Sequence, residues 1–552
     1  MDNYKIKAAV IDGYLDEPSC LGVPPYISPH VRYLWGALID AGLDREKMTY
    51  ITIDDFRNKK EYYFEELENY DILIVTAGTT VPGHYMGGKP ASAAEIEEIS
   101  KKVFYPTRVL GGPITLIKNM TERFEKNYDI ISAEITAADI YQRLKDTKIK
   151  TANFAEMIDR WSVLGAEVVR NHPFYPNLMA EIETFRGCPR TSHCTFCSER
   201  LKKIRYSRNA AGIAEEIRAL AENGIHHFRL GSQTDLLLYG AETSSGKFIP
   251  ASEKILDLYQ GIRSADPELK VLHMDNINPA TIAHYPKISS RILEIITKYN
   301  TAGDIAAFGV ESADPLVLKK NNIDTTVEES IKAIKIVNQI GGRREDGIPK
   351  LLPGINFLHG LIGERKETFA YNFNYLKKIL DMGLMLRRIN IRQVFRLGSY
   401  PEVKYSQGKF INYKKKVNEE INKVMLQRVF PYGTEIKDLY VDQRKGNLTF
   451  ARQLASYPIL VGIPGHLTED KIERAKVVDH GYRSITALKW PKKIDDYKLY
   501  ELEAVPGIGS KRAARIIAEQ PRNINQLKSI IGENLPIGDI SSWFIFNNQA
   551  DN

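Results

Sequence analysis

A chain of 552 residues is too long for a single hydrophobic core and predicts several domains. Hydrophobic residues at 43% and charged residues at 26% exclude a disordered or fibrous chain, and a net charge of +7 makes no demand for a polyanionic partner. Four cysteines are too few for a disulfide scaffold, the opening MDNYKIKAAVIDGY has no secretory signal, and no run is long enough to span a bilayer, so a cytoplasmic protein is expected.

Residues 1–150 alternate the apolar runs KAAVID, MTYITID, DILIVTA and TRVLGGP with a helical stretch, VRYLWGALIDAG, which is the pattern of a parallel, Rossmann-like α/β layer. Gly and Pro cluster just beyond the runs, at GVPPY, AGTTVPGHYMGGKP and GGP, where an open α/β sheet places its ligand loops. Tight turns account for them equally well. A linker is expected over 151–176.

From 177 to 401, six candidate strands (MAEIETF, HHFRLGS, KVLHMDN, IAAFGVE, PGINFLH and RINIRQVF) alternate with helical stretches such as AAGIAEEIRALAENG. They predict a partial (β/α)6 barrel with its chemistry at the carboxyl ends of the strands. Residues 402–431 predict a connecting helix with a solvated charged face. Short β-like pieces over 432–495 predict a small β-barrel that looks loosely like a TRAM domain. Residues 496–552 contain VPGIGSKRAARI, which matches a helix-hairpin-helix. The fold class is α/β.

Three of the four cysteines fall in ETFRGCPRTSHCTFCSER, directly after the first strand of the second α/β series, where Cys188, Cys194 and Cys197 are spaced C-x5-C-x2-C. Structural zinc takes four closed ligands, and His193 as the fourth lies beside Cys194, where both side chains have difficulty reaching one tetrahedral ion. An iron-sulfur cluster with one unligated iron fits the count better. Zinc and a fortuitous cysteine-rich loop stay open as alternatives.

This loop resembles the signature of the radical S-adenosylmethionine superfamily, with Phe196 as the aromatic residue before the last cysteine and two more residues than usual between the first two. The resemblance implies a 4Fe-4S cluster on the three cysteines and S-adenosylmethionine on the remaining iron. HFRLGSQTD stands where the family contacts the methionyl amino group, implicating Gly231, Ser232 and Gln233; a neutral glutamine can accept a hydrogen bond from an ammonium. FGVESADPLVLKK is similar to the fourth-strand segment that approaches the ribose and methionyl parts through Glu311 and Ser312. INFLHGLIGERKET resembles the fifth-strand motif that lines the adenine, implicating Phe357, Gly360, Gly363 and Glu364. Taken singly, Glu311 reads as a helix cap and the glycines as turns.

LGVPPYISPHVRYLWGALIDAG, with DILIVTAGTT and VLGGP, resembles the cobalamin-binding domains that precede many radical enzymes. That implies cofactor-facing loops at Thr76, Gly78, Gly111, Gly112 and Pro113, whose small residues permit close approach to a corrin. No D-x-H-x-x-G stands here, and His30 and His84 are expected to be structural. Methylthiolating relatives carry three cysteines in their N-terminal domain; here there is only Cys20. The architecture resembles an archaeal cobalamin-dependent group with a C-terminal helix-hairpin-helix. It implies C-methylation of a macromolecule, a protein such as methyl-coenzyme M reductase or alternatively tRNA or another RNA, with a low-potential electron donor as partner and no membrane. In the hairpin, Gly507, Gly509, Lys511, Arg512 and Arg515 are candidates for phosphate contact. Tyr33, Tyr85 and Tyr400 are candidate hydrogen carriers.

Overall fold

The computed structural model describes the chain except residues 1–4, 18–19, 79–87, 191, 245, 399, 533–542 and 547–552. In the N-terminal layer, strands β1 (Ala8–Asp12), β2 (Met48–Thr52), β3 (Ile72–Thr76), β4 (Thr107–Gly111) and β5 (Ile130–Ile131) pair in parallel in the order β2-β1-β3-β4-β5. Every residue of β1 is buried, as a strand covered on both faces requires. The order reverses between β1 and β3, and a ligand crevice is expected at that switch point.

Helix α1 (Pro29–Asp40) begins with Pro29 in its first turn, where the missing N–H costs nothing. The stretch read as a linker contains a helix, α2 (Phe154–Leu164), which packs on α1. Gly36 makes that crossing possible, since a Cβ there would lie 2.0 Å from the Trp161 carbonyl oxygen.

The six strands expected in the second series all form: β6 (Met179–Glu183), β7 (His227–Gly231), β8 (Val271–Met274), β9 (Asp304–Glu311), β10 (Leu351–His359) and β11 (Arg388–Gln393). They run parallel as β6-β7-β8 and β9-β10-β11, and an Asn276–Ala307 bridge joins the two halves into an open barrel. The N-terminal domain donates the edge strand, with Tyr26 and Ile27 pairing parallel to Met179 and Ala180.

Buried charges lock the two domains together. Arg32 of α1 donates to the Glu181 carbonyl at 2.6 Å and to Glu216 at 2.6 Å. Glu216 lies on helix α3 (Ala210–Glu222) and takes Arg208 on its other oxygen at 2.5 Å, while Arg208 also reaches Asp159 of α2 at 2.6 Å.

The connecting helix α4 (Gln407–Val417) buries Phe410, Tyr413 and Val417 and leaves its lysines on the outer face. Strands β12 (Glu435–Lys445), β13 (Leu448–Arg452), β14 (Leu460–Pro464), β15 (Lys471–His480) and β16 (Ser484–Lys489) close a barrel in the order β12-β13-β14-β16-β15. Three short helices follow, α5 (Leu499–Glu503), α6 (Ser510–Glu519) and α7 (Ile524–Ile531), and their apolar faces pack against Val478 and Leu488 of that barrel. Among the described residues no helix is long and apolar enough to cross a membrane.

Candidate active site

The cysteine loop leaves the carboxyl end of β6 and is pinned on its far side by the segment after β9. Thr195 bonds Asn321 through its backbone N–H at 3.2 Å and through its hydroxyl at 2.9 Å. Arg190, which sequence reading passed over, donates to the Cys194 sulfur at 3.1 Å, to the Asn322 carbonyl at 2.8 Å, and pairs with Asp324 at 3.1 Å. Burial pushes the Cys194 thiol up to about 11 and raises Cys188 and Cys197 as well. Such thiols ionise when a metal's own charge is present. His193 turns to Arg205, its Nε2 3.3 Å from the guanidinium, which leaves the zinc alternative without its fourth ligand.

The residues read as methionyl contacts lie at the end of β7. Ser232 takes a positive φ of 59° and its hydroxyl points at Glu183, 3.4 Å away. Gln233 is fully buried, donates to the Leu230 carbonyl at 3.0 Å and accepts weakly from Thr184 at 3.4 Å, so its carbonyl oxygen keeps acceptor capacity. Gly231 serves packing: a Cβ there would fall 1.7 Å from a Glu181 oxygen. Gly231→Ala should displace that carboxylate from Arg229, its partner at 2.8 Å, and cost roughly 3 kcal/mol, read as a lower denaturation midpoint.

At the end of β9 the pairing with β10 slips between Phe308 and Glu311, and Glu311 adopts a φ of 61°. This bulge turns the Glu311 side chain into a cavity, where its Oε2 is buried without a hydrogen-bond partner. Burial raises its carboxyl from 4.5 to about 8, with Arg392 opposing. Between those values the folded chain holds a proton that the unfolded chain has lost, so stability contributed here falls as pH rises through that window. Glu311→Gln should flatten part of this decline, measured as melting temperature at pH 6 and pH 8.

Of the other expected contacts, only Phe196 reaches the cavity wall. Ser312 is buried, its hydroxyl accepting from the Asp314 backbone N–H at 3.1 Å at the start of the next helix. Phe357 sits in the core, edge-on to Tyr375 with centroids 5.9 Å apart, while its neighbours Asn356 and Leu358 line the cavity. Strand period explains this, since adjacent residues face opposite sides. Glu364 closes the loop after β10 by holding the His359 Nδ1 at 2.8 Å and the Gly360 backbone N–H. Gly360 and Gly363 take φ values of 90° and 89° in that turn. Phe196 lines the cavity and packs beside Leu361 and Tyr400.

The cavity has a volume of about 440 Å³ and is walled by several parts of the chain, among them Asn422, Met425 and Leu426 of the helical segment after α4. The cysteine loop contributes Phe196 and Cys197, the open barrel Glu311 and Asn356, the loop after β1 Asp16 and Leu21, and the C-terminal barrel Ser456 and Tyr457. Sequence reading missed this last wall. The Ser456 backbone N–H donates to His273 at 3.0 Å and its hydroxyl to the Met274 carbonyl at 2.8 Å. Tyr457 bonds Asp275 and accepts from Arg229 at 3.1 Å, and Arg229 pairs with Asp275 at 2.6 Å. An Arg within the strand HFRLG and a Tyr-Pro in the loop after β13 were the only local signals of this contact.

Residues 182–376 match the model of the radical SAM superfamily. The chain belongs to the radical SAM superfamily. It is 40% identical to an uncharacterized protein of Archaeoglobus fulgidus, over 91% of this chain and 93% of that protein, and 41% identical to MJ0274 of Methanocaldococcus jannaschii, over 87% and 92%. In fold it is similar to the radical S-adenosylmethionine methyltransferase TsrM from Kitasatospora setae, solved with cobalamin and a [4Fe-4S] cluster bound, at 14% identity, 71% coverage of this chain, 75% of that chain and a TM-score of 0.47. As in radical SAM proteins generally, the chain's cofactors are a 4Fe-4S cluster and S-adenosylmethionine. The donor set fits the cluster, because three thiols on one loop leave one iron for another ligand. Among the described residues no three His, Cys, Asp or Glu side chains are grouped to hold a single metal ion.

The loops assigned to a corrin fit it less well. A Cβ on Gly111 would meet Thr136 at 2.5 Å, one on Gly112 the Ala77 carbonyl at 2.5 Å, and one on Gly78 the Asp16 backbone nitrogen at 2.9 Å, so the chain itself fills the space these glycines spare. Thr76 donates to the Ile11 carbonyl at 3.2 Å, and Pro113 opens a short 3-10 turn. The gap beside His30, Thr76 and Gly112 holds about 10 Å³, roughly one water. Residues 79–87, which adjoin these loops and include His84 and Tyr85, lie outside the described residues.

Tyr33 accepts from Arg208 at 3.2 Å within the buried charge network, and Tyr400 bonds Asn321 at 2.9 Å and the Ile362 backbone N–H at 3.0 Å, so both tie elements together. In the hairpin, Gly507 takes a φ of 91°, Arg512 donates to its carbonyl at 2.6 Å, Arg515 pairs with Glu519, and Gly509 and Lys511 are exposed. None of these hairpin residues lines the cavity.

Proposed function

We propose that the chain cleaves S-adenosylmethionine reductively, with Cys188, Cys194 and Cys197 holding the cluster, and that the adenosyl radical abstracts hydrogen from an unactivated carbon of a substrate in the 440 Å³ cavity. The observation that carries this reading is that Cys197 of the three-thiol loop lies on the wall of a cavity where Glu311 presents an unpaired oxygen. When bound, the cluster supplies the low-potential electron for cleavage of the sulfonium. The chain's own part is positioning and exclusion. Glu311 and Asn356 offer acceptors and donors to the ribose, and Ser456 and Tyr457 wall one side of the barrel against water, from which a primary radical must be shielded. The test is anaerobic incubation with dithionite and S-adenosylmethionine, with deoxyadenosine read by chromatography. Formation of deoxyadenosine supports the reading, and its absence from protein with a full cluster contradicts it.

A second reading, methyl transfer with cobalamin on the N-terminal sheet, is favoured by one observation. The loop that leaves the switch point after β1 carries Asp16, Leu21 and Val23 onto the same cavity wall as Cys197, so a cofactor at that edge would border the substrate. Hydroxocobalamin should then copurify or bind with a shifted absorption spectrum, displacing Thr136 from Gly111 and Gly112. An unchanged spectrum at saturating cobalamin would remove this reading and leave the first intact.

A further inference from the structure

The cavity's charge is one-sided. On the wall formed by β11, Arg388, Asn390 and Arg392 alternate and so share a face, and Arg483, in the turn before β16, comes from the C-terminal barrel to the same space. Arg229 and Arg452 also line the cavity but are neutralised, the first by Glu181 and Asp275, the second by Asp442 at 2.9 Å. Arg388, Arg392 and Arg483 have no carboxylate within ion-pair distance among the described residues. Arg387 beside them gives one bond to the Tyr457 carbonyl at 3.3 Å and keeps its Nε buried without a partner.

Holding several guanidinium groups together in a half-dry wall is costly. Burial, with Arg388 adding to it, pushes Arg387 down to about 10, and burial lowers Arg388, with Arg392 and Arg483 adding to that and Tyr457 and the more distant Asp275 opposing. The Arg388 guanidinium is nonetheless held in place, 4.1 Å from the centroid of the Tyr457 ring. Two acids share the wall, Asp16 and Glu311, against the three arginines Arg388, Arg392 and Arg483. S-adenosylmethionine cannot balance the difference, because its single carboxylate is outweighed by its own sulfonium and ammonium.

We propose that Arg388, Arg392 and Arg483 bind the oxyanion end of the substrate, which is a small molecule carrying a phosphate group or clustered carboxylates. Arginine forks match both oxyanions in geometry. A cavity of about 440 Å³ that also holds S-adenosylmethionine suits a small metabolite group rather than a folded macromolecule. The C-terminal barrel is thereby part of the substrate site, through Arg483 and through Tyr457 beneath Arg388. The proposal deepens the radical reading and rests on it only for what happens at the carbon.

The test uses the full chain with its cluster reconstituted, saturated with S-adenosylmethionine and titrated calorimetrically with pyrophosphate and, separately, with citrate. At least one anion should bind, pyrophosphate alone pointing to a phosphorylated substrate and citrate alone to a polycarboxylate. Arg388→Gln and Arg483→Gln should each weaken binding about tenfold, the worth of one charge-assisted hydrogen bond, and Arg388→Lys should restore part of it. Arg483 is exposed, so its replacement leaves the fold intact even if the Arg388 variants do not fold. Binding of neither anion, or equal affinity in Arg483→Gln, would each overturn the proposal. Deoxyadenosine formed without anion binding would sink it alone, and anion binding without deoxyadenosine would sink only the radical reading.

Discussion

Cys194→Ala protein is expected to form no deoxyadenosine above background under conditions where the unaltered chain turns over, measured by chromatography of anaerobic reactions. The loss should be complete rather than graded, because two remaining thiolates cannot hold a cube with three ligated irons. Arg190→Gln provides the informative contrast. Arg190 donates to the Cys194 sulfur at 3.1 Å, and hydrogen bonds to cluster sulfurs raise the reduction potential. Its loss should leave the cluster assembled, shift its potential downward, and lower turnover without abolishing it.

Glu216→Ala is expected to be the most destabilising single substitution considered. Its carboxylate is fully buried and holds Arg32 from α1 and Arg208, at 2.6 and 2.5 Å. Removing it strands the Arg32 guanidinium and leaves Arg208 with Asp159 alone in the interface between the N-terminal domain and the open barrel, and breaking a buried pair of this kind costs about 3 to 5 kcal/mol. Thermal scans should show a large drop in midpoint or insoluble protein. Arg45→Ala breaks a pair with Glu167 at 3.0 Å, but both side chains are substantially exposed, and the change should be within about 1 kcal/mol of neutral.

The two α/β layers were legible because their strands are short apolar runs separated by helical spacing, and the cysteine loop because its thiols cluster. What could not be read locally depends on contacts far apart in the chain. Ser456 meets His273 across 183 positions, and nothing near either residue announces it. The charges inside the open barrel, Glu181, Arg229 and Asp275, interrupt apolar strands in a way that composition treats as noise. The motif around Phe357 was read as a block, whereas strand alternation sends Phe357 to the core and its neighbours to the cavity. Glu311 was read in the right place for a reason invisible in sequence, the bulge that re-aims it. The glycines at the end of β4 carry a second reason invisible in sequence, since a Cβ on Gly111 or Gly112 would meet Thr136 or Ala77.

The three-thiol site is tested most directly by iron and sulfide analysis of the anaerobically reconstituted chain, with electron paramagnetic resonance of its reduced form before and after S-adenosylmethionine is added. About four irons and four sulfides per chain are expected, with a signal that changes on addition because the cofactor occupies the unligated iron. One zinc per chain with no iron, or a cluster signal indifferent to S-adenosylmethionine, would contradict it.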